Sequence, residues 1–213
     1  MAHPYSSTEL ISRINAETTK LGDLKKLAKE IKKDHDLAME LWSSGTLNPR
    51  LLATLIMEKK VIDQGFVDGL INDLESQEMK ERLLILDWLL ANQLTKSKNT
   101  IQLLESWEKA SSPSLRRLFW YHQARLRWTG QTPPDNTADL LRSLEKDMGK
   151  AEPEVQWAMN FTAAWIGVFQ AEYRGKCVDL GENLGLYKDD PVPRGCTPDY
   201  LPEFIRVEVE KRA

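Results

Sequence analysis

Apolar residues return along this chain at every third or fourth position. Leu24, Leu27, Ala28 and Ile31 make one row and Leu37, Ala38, Leu41 and Trp42 another, followed by Leu51, Leu52, Leu55 and Ile56 and by Phe66, Val67, Leu70, Ile71 and Leu74. A period near 3.6 puts each row on one face of an amphipathic helix, whereas a half-buried strand alternates every second residue. No such alternation is sustained. The punctuation agrees with helices: Gly45 then Asn48-Pro49, Ser112-Pro113, Gly130 then Pro133-Pro134, and Gly149 then Pro153 fall between rows. Glycine stands where a helix ends and proline where a first turn tolerates it. The pattern predicts helices near 7–18, 23–33, 35–43, 49–59, 63–75, 78–95, 99–110, 114–129, 136–148, 153–168, 170–183 and 200–210.

Helices of this length joined by short turns pack either as a compact bundle or as stacked hairpins. The pairs 35–43/49–59, 63–75/78–95, 99–110/114–129 and 136–148/153–168 start roughly 30 to 40 residues apart, the spacing of helical-repeat units. That spacing favours an all-α protein in the form of a short α-solenoid, with residues 1–213 as one domain. Residues 184–200 hold three of the ten prolines and read as a loop closing onto the last helix.

Composition narrows the function classes. The 213 residues are 41% hydrophobic and 29% charged with a mean hydropathy of −0.47, ordinary for a soluble globular chain. No apolar run approaches the roughly 18 residues a bilayer needs, and Met1 to Ala16 lacks the pattern of a signal peptide. The expectation is a cytoplasmic monomer without membrane contact, in which Cys177 and Cys196 stay thiols. Charge is uneven: residues 61–110 carry five Lys/Arg against nine Asp/Glu, residues 111–130 four against none, and residues 131–213 ten against fifteen. An acidic protein with one basic island fits a focused phosphate contact better than indiscriminate nucleic-acid binding. Phosphate-binding loops, dinucleotide fingerprints, nucleophile elbows and HExxH are all missing, and three scattered histidines suggest no metal site. No cofactor is expected.

Three features carry candidate chemistry. In Glu78 to Leu94 a helical wheel puts Glu78, Glu81, Arg82, Asn92 and Gln93 on one side and Asp87 on the other, among Leu83, Leu84, Leu90, Ala91 and Leu94. A carboxylate centred on an apolar face is costly unless partnered, so Asp87 is either a functional group or a buried partner of an arginine or of backbone. The island Pro113 to Trp128 sets Leu115, Leu118, Phe119, His122 and Leu126 in one stripe, with Arg116, Arg117, Trp120, Tyr121, Arg127 and Trp128 spread over the remainder. Arginine interleaved with aromatics suits phosphate and base contact; the alternative is pairing with the acidic segment 61–110. Val155 to Val168 is apolar nearly all round and reads as a central buried helix, on which Trp157 and Phe161 stand one turn apart and either wall a cleft or fill the core.

The segments Leu24-Lys-Lys-Leu-Ala-Lys-Glu-Ile31, His35 to Trp42, Ile85-Leu-Asp-Trp88, Arg116-Arg117, Val155-Gln-Trp157, Gly185-Leu-Tyr-Lys188 and Gly195-Cys-Thr-Pro198 together resemble the AlkC/AlkD-type DNA alkylation repair family. The resemblance implies HEAT-like antiparallel helix pairs and duplex DNA, possibly alkylated, bound on a concave face. It implies a DNA glycosylase that hydrolyses the N-glycosidic bond of cationic N3- or N7-alkylpurines, or a non-catalytic module that keeps the scaffold to bind DNA structures or a protein. By position Asp87 matches the family's catalytic Asp and Arg117 its Arg, while Phe161 stands where active members have tryptophan. Arg116, Arg127, Trp88, Trp120 and Trp157 complete the expected DNA-binding set. Leu83, one turn before Asp87, departs from the tryptophan that similar active members carry.

Overall fold

In a computed structural model, residues 6–15 and 19–212 are described, and the regular elements among them are all helical. The α-helices are α1 Ser7–Ile14, α2 Leu21–Ile31, α3 His35–Ser43, α4 Leu47–Ile56, α5 Gln64–Asp73, α6 Met79–Leu89, α7 Lys98–Ser106, α8 Pro113–Trp128, α9 Thr137–Asp147, α10 Pro153–Phe169, α11 Ala171–Leu184 and α12 Leu201–Glu210. Each corresponds to a predicted helix; positions 16–18 of the first prediction lie outside the described residues. Gly45 and Gly130, read as helix stops, both take φ of +72°, a conformation that a side chain would strain. Asp34 caps α3 by accepting from the Leu37 N–H at 3.0 Å, and Asp63 caps α5 by accepting from Phe66 at 2.8 Å.

The chain divides into two compact units, Met1–Glu105 and Ser106–Ala213. In the first, α4 packs on α3, α2 and α6 around Leu51, Leu52, Ala53 and Ile56, all fully buried. Arg50 is buried there as well: its Nε donates to the Trp42 carbonyl at 3.2 Å and its Nη1 to Gln77 Oε1 at 2.7 Å, while the Trp42 indole donates to Asp73 at 2.8 Å. The prediction of one helix over 78–95 is corrected at its end. After Leu89 the turn widens, the Thr95 N–H reaches the Leu90 carbonyl, and the extra residue sends Gln93 inward to donate to the Thr54 and Met57 carbonyls at 2.6 and 3.3 Å. One wide turn thus satisfies the end of α4.

In the second unit α10 is the central element, packed on α8, α9, α11 and α12, as its nearly all-apolar sequence predicts. Its close approach to α12 depends on glycine. A Cβ at Gly167 would stand 2.5 Å from Ile205 Cδ1, and one at Gly181 of α11 would stand 2.6 Å from Pro202 Cδ and 2.8 Å from Leu201 Cβ. A proline ring and a Cβ cannot rotate away. Gly181→Ala should therefore destabilise the protein by about 1–2 kcal/mol, overpacking outweighing the gain in helix propensity. Gly175→Ala, in the same helix with nothing within 4 Å, should stabilise by up to ~1 kcal/mol. Thermal melts of the two variants check the opposite signs.

His122 sits in the apolar stripe of α8, buried with neither ring nitrogen hydrogen-bonded. Burial first, and then the Arg125 charge, pushes its pKa from 6.5 down to about 4. The folded value is depressed, so the unfolded chain binds the proton more readily. Stability is complete above pH 6.5 and declines as the pH falls toward 4, by up to roughly 3 kcal/mol. His122→Leu should flatten that part of the pH profile in urea unfolding, and an unchanged slope would show that the histidine does not titrate with folding.

Candidate nucleic-acid interface

Asp87 keeps the neighbours that the wheel gave it, but it is half-buried rather than sealed in the core. Ile85, Leu86 and Leu89 are fully buried and face the packed side of α6, while Leu83, Leu84, Asp87 and Ala91 share a side that is only half-buried. Of the polar residues on the opposite side, Glu81 and Arg82 are half-buried and Gln93 is fully buried. Their long stems cover apolar surface, and their heads find partners, as Gln77 donating to Glu81 shows. Asp87 is thus half-buried among apolar neighbours, with Leu83, Leu84 and Ala91 half-buried and Leu90 and Leu94 fully buried. Trp88, expected to contact DNA, is buried on the flank of α6, with the Lys25 ammonium 5.5 Å from its ring centroid. It offers little ring face to a ligand.

The basic island is inverted. Arg127 is 3% exposed, its Nε donating to Gln170 Oε1, Nη1 to the Gln123 carbonyl and Nη2 to Thr137 Oγ1, each at 2.9 Å. Burial pushes its pKa down to about 10. Trp120 is 2% exposed and packs edge-on against Phe119. Both of these expected DNA-contacting residues lie buried in the interior. Arg116 donates to the Ala110 and Ser111 carbonyls at 2.6 and 2.8 Å and pairs with Glu152 at 2.6 Å. Its counter-ion is therefore not in the acidic segment 61–110. The neighbouring pocket of about 230 Å³ mixes Lys109, Arg116 and Lys150 with Glu108, Asp147 and Glu152.

Arg117, Trp157 and Phe161 do come together. The Arg117 guanidinium is buried, 5.3 Å from the Tyr121 ring and 5.8 Å from the Trp157 ring. Trp157 stacks on Phe161 with centroids 4.9 Å apart and planes 14° from parallel, and Tyr121 leans on both rings. These three rings are half-buried.

Two further features went unread in the sequence. Trp157, Phe161, Trp165 and Phe169 recur every four residues along one face of α10, a spacing visible in the sequence from the outset. The loop 184–200 packs back on α10: the Asp199 carbonyl accepts from Asn160 at 2.8 Å and its carboxylate from the Trp157 indole at 3.4 Å. Burial raises the Asp199 carboxyl above its ordinary value, against the lowering effect of the indole N–H, with Asp190 adding to the rise. Tyr187 in the same loop is pushed up to about 12, chiefly by burial. No sequence spacing announces a loop-to-helix contact across some forty residues. Among the described residues, no group of three His, Cys, Asp or Glu is placed to hold a metal ion, and no helix is long and apolar enough to cross a membrane.

Comparison with known proteins places this arrangement. No curated protein matches the chain. A solved structure, described as a new family of proteins related to the HEAT-like repeat DNA glycosylases with affinity for branched DNA structures, superposes with a TM-score of 0.66. At 16% identity the match covers 97% of this chain and 87% of that one, so what it shows is the fold: HEAT-like and all-α. The family model described as DNA alkylation repair enzyme matches residues 17–164, which include α6 with Asp87, α8 with Arg117, and Trp157 and Phe161 of α10. Because that match spans well over half of the sequence, the chain belongs to the DNA alkylation repair enzyme family.

Proposed function

We propose that the protein binds duplex DNA and releases purines alkylated at N3 or N7, with Asp87 as the catalytic carboxylate. The observation that carries this reading is Asp87 itself, half-buried among apolar neighbours instead of sealed in the core. An alkylated purine of this type carries a positive charge, so the base needs no general acid to leave. The bond from C1′ to the base nitrogen breaks, its electron pair neutralises the base, and the sugar becomes oxocarbenium-like. A carboxylate in poorly hydrated surroundings stabilises that cation and accepts the proton of the water that attacks C1′. Arg117 with Tyr121, Trp157 and Phe161 forms the ring-and-guanidinium wall that suits nucleotide contact. These roles require no metal and no cofactor.

The neighbour's described affinity for branched DNA supports a second reading, a binding module without excision. Leu83 favours it: half-buried beside Asp87, it offers no ring for a base to stack on. Incubating the wild-type protein with duplexes containing 7-methylguanine or 3-methyladenine separates the two. Time-dependent release of free base is the expected result, and salt-dependent binding without release selects the second reading.

A further inference from the structure

The aromatic stripe of α10 runs beyond the wall described above. Its four residues, Trp157, Phe161, Trp165 and Phe169, extend over thirteen residues of helix, about 18 Å from first to last at 1.5 Å per step. At its C-terminal end the stripe emerges from the protein. Trp165 is buried, but two rings nearly parallel to it are not: Trp128 of α8, 5.9 Å away at 12°, and Phe169, 5.6 Å away at 23°. Trp128 is 42% and Phe169 45% exposed, among the most exposed large apolar side chains of the described residues. Packing alone does not account for two large rings kept in solvent against a third.

Cations gather around the same end. The Arg212 guanidinium lies 5.2 Å from the Trp165 ring and 5.5 Å from Phe169. Arg174 donates to the Gly167 and Val168 carbonyls at 2.8 and 3.1 Å, next to Phe169. Lys211 and Arg212 both pair with Glu208. Exposed rings attract any flat π-system, and Lys211 and Arg212, which share the single carboxylate Glu208, leave one positive charge in excess beside them for a ligand with a negatively charged backbone. Both properties belong to a nucleic-acid strand whose bases are unpaired. A paired base shows its ring face only at a helix end.

We propose that Trp128 and Phe169, each stacked against the buried Trp165 and flanked by Arg174 and Arg212, form a stacking platform for unpaired bases of a DNA strand at a fork or branch. The proposal rests on the DNA-binding reading and adds to it a second set of residues that discriminates unpaired from paired strands. The platform reads no sequence, because every base has a ring face.

The test compares a blunt duplex with the same duplex bearing an arm of about six unpaired thymidines, a length of the kind such platforms accommodate. Wild-type protein should bind the forked DNA more tightly and lose tryptophan fluorescence as the arm binds. The double variant Trp128→Leu, Phe169→Leu keeps the apolar cover and removes the exposed rings. It should bind the blunt duplex as wild type does and lose the fork preference, at least ~5-fold given the usual worth of one base stacked on an aromatic ring. Circular dichroism and a melt confirm its fold, and the two single variants, each expected to lose part of the preference, serve if the double variant fails to fold. A fork preference that survives both changes overturns the platform. So does a wild-type protein that binds both DNAs equally, which leaves the DNA-binding reading standing. Absence of binding to either DNA rejects both.

Discussion

Asp87→Asn is expected to slow base release from 7-methylguanine DNA by roughly 10²–10³-fold while leaving the melting temperature nearly unchanged. The size follows from what the charge does: a preorganised group aimed at developing charge typically contributes that much to the rate. Asparagine keeps the shape and much of the hydrogen bonding but carries no charge to meet the cation at the sugar. The small effect on stability follows from position. Asp87 is half-buried, whereas Ile85, Leu86 and Leu89, which anchor this helix, are fully buried. A carboxylate whose main task was to neutralise a buried arginine would give the opposite pattern, a loss of about 3–5 kcal/mol in stability. Melting curves and base-release rates from one preparation of the variant decide between the two. Equal release by variant and wild type would remove Asp87 from the chemistry.

The helices were legible because each one must bury its own apolar row, and a row at 3.6-residue spacing is a local property of the sequence. Which face of a helix is buried is less local. On α6 the polar side looked solvated and the leucine side looked buried, yet Ile85, Leu86 and Leu89 outweigh Leu83 and Leu84, and Glu81 and Arg82 are half-buried as well. Asp87 and its neighbours Leu83 and Leu84 are therefore only half-buried, which a wheel cannot reveal. Arginines pose the harder case, since the same residue serves phosphate contact or internal cross-linking depending on acceptors far away in sequence. Arg116 finds Glu152, and Arg127 finds Thr137 and Gln170. Trp157 and Phe161 were recognised as a pair, but the spacing that continues through Trp165 to Phe169 identifies a stripe, and its exposed end could not be told from core without knowing where α8 and α12 lie.

Arg127 should behave as a structural cation, and replacing it should cost stability without a specific effect on DNA. Its three bonds go to neutral oxygens, those of Gln123, Thr137 and Gln170, and thereby join α8 to the start of α9 and the end of α10. In Arg127→Met an apolar chain of similar length takes the space, so no large cavity forms. The oxygens of Thr137 and Gln170 lose a charged donor inside the protein, at about 1–3 kcal/mol for each buried group left unsatisfied. Two terms offset part of this: the desolvation penalty that already lowers the Arg127 pKa, and the remaining bond from Thr137 Oγ1 to Gln170 Oε1 at 3.1 Å. The net loss should be about 2–4 kcal/mol, a fall in melting temperature of roughly 5–15 °C for a chain of this size. Arg127→Lys should recover only part of it, because one ammonium cannot reproduce the fork that reaches three acceptors on separate elements. Thermal melts measure the loss, and DNA titrations under conditions where both variants remain folded measure the other half of the claim. Variants that melt like wild type but bind DNA ten times more weakly would return Arg127 to the DNA-contacting set that the basic island suggests.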